Sequence, residues 1–155
     1  MLYIPKVKFC LVLKQRLQEI LDRDINKKTI AAVLVPILNE PDPKVVMIIR
    51  SKDLSRSAGH IAFPGGMIEH GESPVDTALR EVEEELGLKK DRIEVIGFLS
   101  PREVRQYRIK ICPVVGIVEG SHFEPDGKEV SKVLVDSLKS CLLYTSDAAD
   151  DGESV

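Results

Sequence analysis

The stretch "GMIEHGESPVDTALREVEEELGL", residues 66–88, decides how the rest of the chain is read. Its second half is punctuated as a helix. Ser73 is a residue type that caps a helix N-terminus, Pro74 suits the first helical position, and Asp76 places a negative charge where the helix dipole is positive. Gly87 supplies the left-handed residue that ends a helix. Between these ends Ala78, Leu79, Val82 and Leu86 share one side and are expected to bury against a sheet. Glu81, Glu84 and Glu85, at i, i+3 and i+4, are expected to converge on another side, while Glu83 points to solvent. Like charges at such spacings repel on a helix, so their concentration needs a reason. A hard divalent cation that takes oxygen ligands is one. A solvated charged face is the other.

Working outward, "KDLSRSAGHIAFPGGMIEHGES" is a long loop rich in Gly, Ser and Pro, broken by a short strand at "HIAF". Loops of that length inside a domain are usually functional or disordered, and this one runs straight into the glutamate helix. Upstream, "TIAAVLVPIL" (29–38) and "KVVMIIRS" read as strands around the turn "NEPDP". Downstream, "RIEVIGFLS", "YRIKICPVVGIVEG" and "EVSKVLVDSL" read as three more. Near the N-terminus Leu13, Leu17, Ile20 and Leu21 recur at helical spacing, which predicts an amphipathic helix over roughly 9–24. Strands mixed with two helices, without strict alternation, predict an α+β or layered α/β/α class.

Composition narrows the function without naming it. The chain has 155 residues, 43% of them apolar and 30% charged, with a formal net charge of −3, and this suits one globular domain. That balance gives no general attraction to nucleic acid or to an anionic membrane, so any phosphate recognition is local. No apolar run is long enough to span a bilayer. Cys10, Cys112 and Cys141 suggest neither a disulfide framework nor a zinc site, and a cytoplasmic location is expected.

Gly66, Glu72, Arg80, Glu81, Val82, Glu84, Glu85, Gly87 and Leu88 together fill every defined position of a pattern that resembles the Nudix hydrolase box. The resemblance implies a loop–helix–loop on an α/β/α sandwich with a mixed sheet, hydrolysing a nucleoside diphosphate linked to another moiety. It implies that Glu81, Glu84 and Glu85 hold one or more Mg2+ or Mn2+ ions, joined by the Gly66 carbonyl. It also implies that Arg80 steadies the glutamates and that Glu72 braces the loop against Arg80. Glu84 or Glu81 is the candidate general base, with the loop acid Glu103 as rival.

The segment "RSKDLSRSAGHIAFPGG" is similar to the additional signature of the coenzyme A pyrophosphatase branch. Arg50, Ser51, Gly59, Phe63, Pro64, Gly65 and Gly66 fit it, but position 55 is serine where the branch has arginine, and Arg56 stands one place later. The branch implies coenzyme A or its derivatives as substrate, with 3′,5′-ADP and 4′-phosphopantetheine as products. Arg50, Arg56, Phe63 and Gly65 are then the candidate substrate-binding residues. Lys52 and the arginines at 102, 105 and 108 could also answer its phosphates. ADP-ribose, NADH and dinucleoside polyphosphates are the alternative substrates. A non-catalytic Nudix binding module and an inactive truncated fragment are the alternatives of a different class. His60 is a weaker acid–base candidate, Cys112 a core residue, and a homodimer is left open.

The end of the chain reads differently. Residues 141–151, within "CLLYTSDAADDGESV", resemble the in-frame translation of a transposase-type sequencing adapter. The expected organisation is therefore a C-terminally truncated Nudix domain over 1–140 and a non-native tail over 141–155 with no functional residues.

Overall fold

Strand β1, Ala31–Leu38, carries apolar side chains on both faces. Ala32, Leu34 and Leu38 turn to one side, and Val33, Val35 and Ile37 to the other, as the two-residue period of a strand requires. A strand that is apolar on both faces belongs at the centre of a sheet covered on both sides. The computed structural model describes residues 14–18, 21 and 29–140, and β1 is central within them.

Around it stand β2 (Lys44–Arg50), β3 (Ile61–Ala62), β4 (Gly65–Met67), helix α1 (Pro74–Leu86), β5 (Ile93–Phe98), β6 (Arg102–Val104), β7 (Ile109–Val118) and β8 (Val130–Ser137). The sheet is mixed. β1 runs parallel to β7, from Ala31 opposite Ile111 to Leu38 opposite Val118, and the other pairings are antiparallel. The main path is β3-β2-β1-β7-β5, with β8 along β2, β4 on the first half of β1, and β6 on the start of β7.

Helix α1 covers one face. Ala78, Val82 and Leu86 are fully buried with Leu34, Val46, Ile48, Val114 and Val118. Leu79, expected on the buried side, is only half-buried. The buried stripe instead runs through Thr77, Ala78, Val82, Glu85 and Leu86, which leaves Leu79 at its edge and draws Glu85 inside. The helix ends are closed as the sequence predicts. The Ser73 hydroxyl accepts the Asp76 N–H at 3.1 Å, and the Asp76 carboxylate accepts the Ser73 N–H at 2.9 Å, a reciprocal box of the kind that contributes about 1 kcal/mol. Gly87 has φ +66° and donates its N–H to the Glu83 carbonyl.

On the opposite face residues 14–18 are helical. Leu17 and Leu21 pack on Ile37, Ile96, Val115 and Ile117, and Lys14 pairs with Glu94. Of the expected 9–24 helix, residues 14–18 are helical and Leu21 is a bend; its remaining residues and the 141–155 tail lie outside the described residues. Helical segments on both faces of a mixed sheet make the layered α+β arrangement expected of the sequence. Among the described residues no helix is long and apolar enough to cross a membrane.

Two strands depart from the sequence reading. β4 lies inside what reads as loop, because two glycines weaken the local strand signal. Its pairing requires one of them: a Cβ on Gly65 would lie 2.3 Å from the Ala32 carbonyl oxygen. β6 is a three-residue strand stapled to β7, too short to carry a pattern of its own.

Candidate active site

The site is built where α1, the β3–β4 segment and the start of β8 meet. Arg80, on α1, is its organiser. Its guanidinium forks onto Glu72, with Nε 2.9 Å from Oε2 and Nη2 3.0 Å from Oε1. Nη1 donates to Glu81 Oε1 at 2.9 Å and to Glu84 Oε2 at 3.4 Å, and Nη2 reaches the Met67 carbonyl at 3.3 Å. One planar cation thus locks the loop acid, two helix acids and β4 together, as a charge-assisted fork can. The pairing holds the Glu72 carboxyl below its ordinary range and raises Arg80 further above its own. Arg80→Ala is expected to weaken Mn2+ binding about 10–100-fold, the usual loss when a group orienting a ligand is removed, as read by metal titration of the purified protein.

Glu81, Glu84 and Glu85 do not converge as one set. One carboxylate oxygen each from Glu81, Glu85 and Glu129 lies within 4.8 Å of the others, and Glu84 is outside this group. The reason is helical geometry: successive residues are about 100° apart, so Glu84 and Glu85 flank Glu81 on opposite sides. Glu85 sits on the buried stripe and turns under the helix, while the Glu84 side chain is 60% exposed. The third member comes from Glu129, just before β8, which sequence reasoning missed. An isolated glutamate far along the chain carries no local pattern. A signal exists only once β8 is paired along β2, opposite Arg50.

Glu85 is 1% exposed, and neither carboxylate oxygen has a hydrogen-bond partner among the described residues. Burial pushes its carboxyl up to about 8, with Glu81 and Glu129 adding to the effect and Arg50 opposing it. Burial also raises Glu81, against the pull of Arg80. An unpaired buried carboxylate costs several kcal/mol unless a cation completes it. Three carboxylates from separate residues, with two orphaned buried oxygens among them, fit a hard divalent ion that fills its remaining positions with water or phosphate oxygens.

The other sequence candidates fall in three places. Gly66 packs against the cluster: a Cβ there would sit 2.3 Å from Glu81 Oε1, so any side chain would displace that carboxylate. Gly65 is accounted for by its close approach to β1. Arg50, at an irregularity in the β2–β8 pairing, has a buried Nε without a partner among the described residues and an Nη2 that donates to the Arg56 carbonyl at 3.3 Å. The Arg56 guanidinium lies over the Tyr107 ring, 5.0 Å from its centroid. Phe63 lines a cavity of about 610 Å³ on the β1 face that carries Val33 and Val35, with Met47, Leu99 and Arg102. Glu103 is exposed on β6 opposite Lys110, and His60 is exposed on the loop; neither belongs to the carboxylate group.

Comparison with known proteins agrees with this architecture. A family model described as the NUDIX domain matches residues 28–151. The chain is 36% identical over 125 residues to an uncharacterized Nudix hydrolase, NudL, of Pectobacterium atrosepticum, covering 79% of this chain and 65% of that protein. It is 41% identical over 106 residues to NudL of Escherichia coli K12, covering 64% and 54%. The chain therefore spans between about half and two-thirds of the length of these curated relatives. Among solved structures, the Mycobacterium smegmatis Nudix hydrolase RenU superposes with a TM-score of 0.59 at 15% identity, covering 83% of this chain and 89% of that one. A Caenorhabditis elegans Ap4A hydrolase binary complex superposes with a TM-score of 0.60 at 16% identity, covering 75% and 85%. The family match runs through the sheet, through α1 and on to Glu129, and the chain belongs to the Nudix family.

Proposed function

We propose that this chain is a divalent-cation-dependent pyrophosphohydrolase acting on a nucleoside diphosphate linked to another moiety, with coenzyme A or its derivatives as substrate. The observation that carries the chemistry is the buried, unpartnered Glu85 carboxylate facing Glu81 and Glu129. Bound there, Mg2+ or Mn2+ would neutralise diphosphate oxygens and make an attacking water more acidic. Glu81, Glu85 and Glu129 would hold the ion, and Arg80, hydrogen-bonded to Glu81, would keep that carboxylate oriented. Glu84, exposed and outside the ligand set, is the better placed of the helix acids to take the proton of the attacking water. That water's oxygen bonds to one phosphorus as the bridging P–O bond breaks, and the bridging oxygen leaves on the other phosphate.

The substrate assignment rests on the segment 50–66. Arg50 acts electrostatically on the Glu85 carboxyl, and a guanidinium beside the carboxylates suits a phosphate oxygen. Arg56, one residue from the signature position, lies over the Tyr107 ring and is the candidate for a second phosphate. The apolar cavity beside Phe63 is of a size that encloses one moiety of a dinucleotide-like substrate. The curated relatives carry no substrate in their names. One solved Nudix domain, of Shewanella oneidensis NrtR, was crystallised with ADP-ribose, which makes that compound the proper competitor.

The test is hydrolysis by the full chain with Mg2+ of coenzyme A, ADP-ribose, NADH and a dinucleoside polyphosphate, each followed by product chromatography. Release of 3′,5′-ADP from coenzyme A as the fastest reaction supports the whole proposal. Faster cleavage of ADP-ribose removes the coenzyme A assignment and keeps the chemistry. No divalent-dependent hydrolysis of any of them removes both.

A further inference from the structure

We infer that Asp126 positions Glu129, clamping the loop after β7 so that the third carboxylate stays on the cation site; this rests on the reading of Glu81, Glu85 and Glu129 as the residues that hold the ion. Glu129 is exposed on a loop, and a loop side chain left to itself samples many positions. A ligand set works only when its members are held within about 0.5 Å of the productive geometry. Something has to fix Glu129, and among the described residues its side chain makes no hydrogen bond or ion pair that would do so.

The Asp126 side chain supplies the restraint. Its Oδ1 accepts three consecutive backbone N–H groups, from Lys128 at 3.0 Å, Glu129 at 3.1 Å and Val130 at 3.0 Å. Its own N–H donates to the Glu85 carbonyl at 3.0 Å, and the Glu124 N–H donates to the Leu86 carbonyl at 2.8 Å. One residue therefore ties the backbone of Glu129 to the backbone of Glu85. Gly127, at φ +73°, makes the turn that lets the Asp126 carboxylate look forward along the chain. On the far side the Ser51 N–H donates to the Glu129 carbonyl at 2.8 Å. The loop is held from α1 by Asp126 and from the end of β2 by Ser51, and Glu129 lies between the two holds. Asp126 is not itself in the carboxylate group, so its role is positioning.

A rival account is that Asp126 acts only through its negative charge. Substitutions separate the two. Mn2+ binding to the full chain without nucleotide, followed by the electron paramagnetic resonance of free Mn2+, is the measurement. Asp126→Ala is expected to weaken binding tenfold or more, on the scale of about 10–100-fold typical for outer groups that orient ligands. Asp126→Asn keeps the acceptor oxygen and loses the charge, and is expected to bind close to wild type. Asp126→Glu keeps the charge and displaces the acceptor, and is expected to bind weakly; it also serves if the alanine variant does not fold. In a Glu129→Gln background Asp126→Ala should add no further loss, because the two act as one unit. Asparagine as weak as alanine, glutamate as tight as wild type, or an additive loss in the Glu129→Gln background would overturn the inference. Wild-type protein that binds no Mn2+, or Glu85→Gln binding it unchanged, would instead remove the cation site itself, and the inference with it.

Discussion

Glu85→Gln should lose about three orders of magnitude in kcat and, free of metal at neutral pH, should melt no lower than wild type. The two halves of this expectation come from the same fact. Glu85 is 1% exposed with both oxygens unpartnered among the described residues, so on the proposed reading its charge serves an ion and not the fold. Removing an anionic ligand weakens the electrostatic stabilisation of the diphosphate, which is worth several kcal/mol in such sites, and each 1.4 kcal/mol or so is tenfold in rate. Glutamine has nearly the same shape and no charge to desolvate, so the metal-free fold loses a liability. A structural role for Glu85 predicts the reverse: activity falling together with the melting temperature. Steady-state kinetics on the preferred substrate and thermal melts in EDTA distinguish them. Turnover within tenfold of wild type, or a markedly lower melting temperature, would count against a ligand role.

What the sequence makes legible is local. The cap residues Ser73, Pro74 and Asp76, the stop at Gly87 and the apolar spacing of Ala78, Val82 and Leu86 all act within one or two helical turns, and α1 lies where they place it. The Arg80–Glu72 pair is legible through the family pattern, and its geometry follows. The strands β1, β2, β5, β7 and β8 announce themselves by composition. The composition of the carboxylate group does not. Glu84 and Glu85 are indistinguishable as letters, and only the packing of α1 on the sheet turns one inward and the other outward. Glu129 and Asp126 lie in "EPDGKEV", a stretch that reads as an ordinary polar turn. It gains meaning when β8 pairs with β2 and carries that turn to the C-terminal end of α1. The strand β4 is hidden for a similar reason: its glycines make sense only beside Ala32.

The same buried carboxylate sets the second large expectation, a reversed pH dependence of stability with and without metal. In the folded, metal-free protein the Glu85 carboxyl titrates at about 8, against an ordinary value of 4.5. Between those values the folded state holds a proton that the unfolded chain has released, so folding takes up a proton and stability falls as pH rises, by about 1.4 kcal/mol per pH unit. Burial of Glu81 acts in the same direction. The Glu85 contribution is thus complete below about 4.5 and gone above about 8. Glu72 and Asp76, whose carboxyls are held low by Arg80 and by the Ser73 cap, act oppositely, and their contribution is lost as the medium becomes more acidic. Metal-free protein should therefore be most stable in mildly acidic solution and lose a few kcal/mol by pH 8, a large share of the roughly 5–15 kcal/mol of a typical domain. A divalent ion held there would bind the ionised carboxylates and displace that proton, so its affinity should grow with pH, and saturating Mn2+ should cancel or invert the slope. Urea denaturation from pH 5 to 8, in EDTA and in Mn2+, measures both curves. Glu85→Gln should flatten the EDTA curve; a wild-type curve already flat, or a variant that keeps the wild-type slope, would mean that the charge at the centre of this site lies elsewhere.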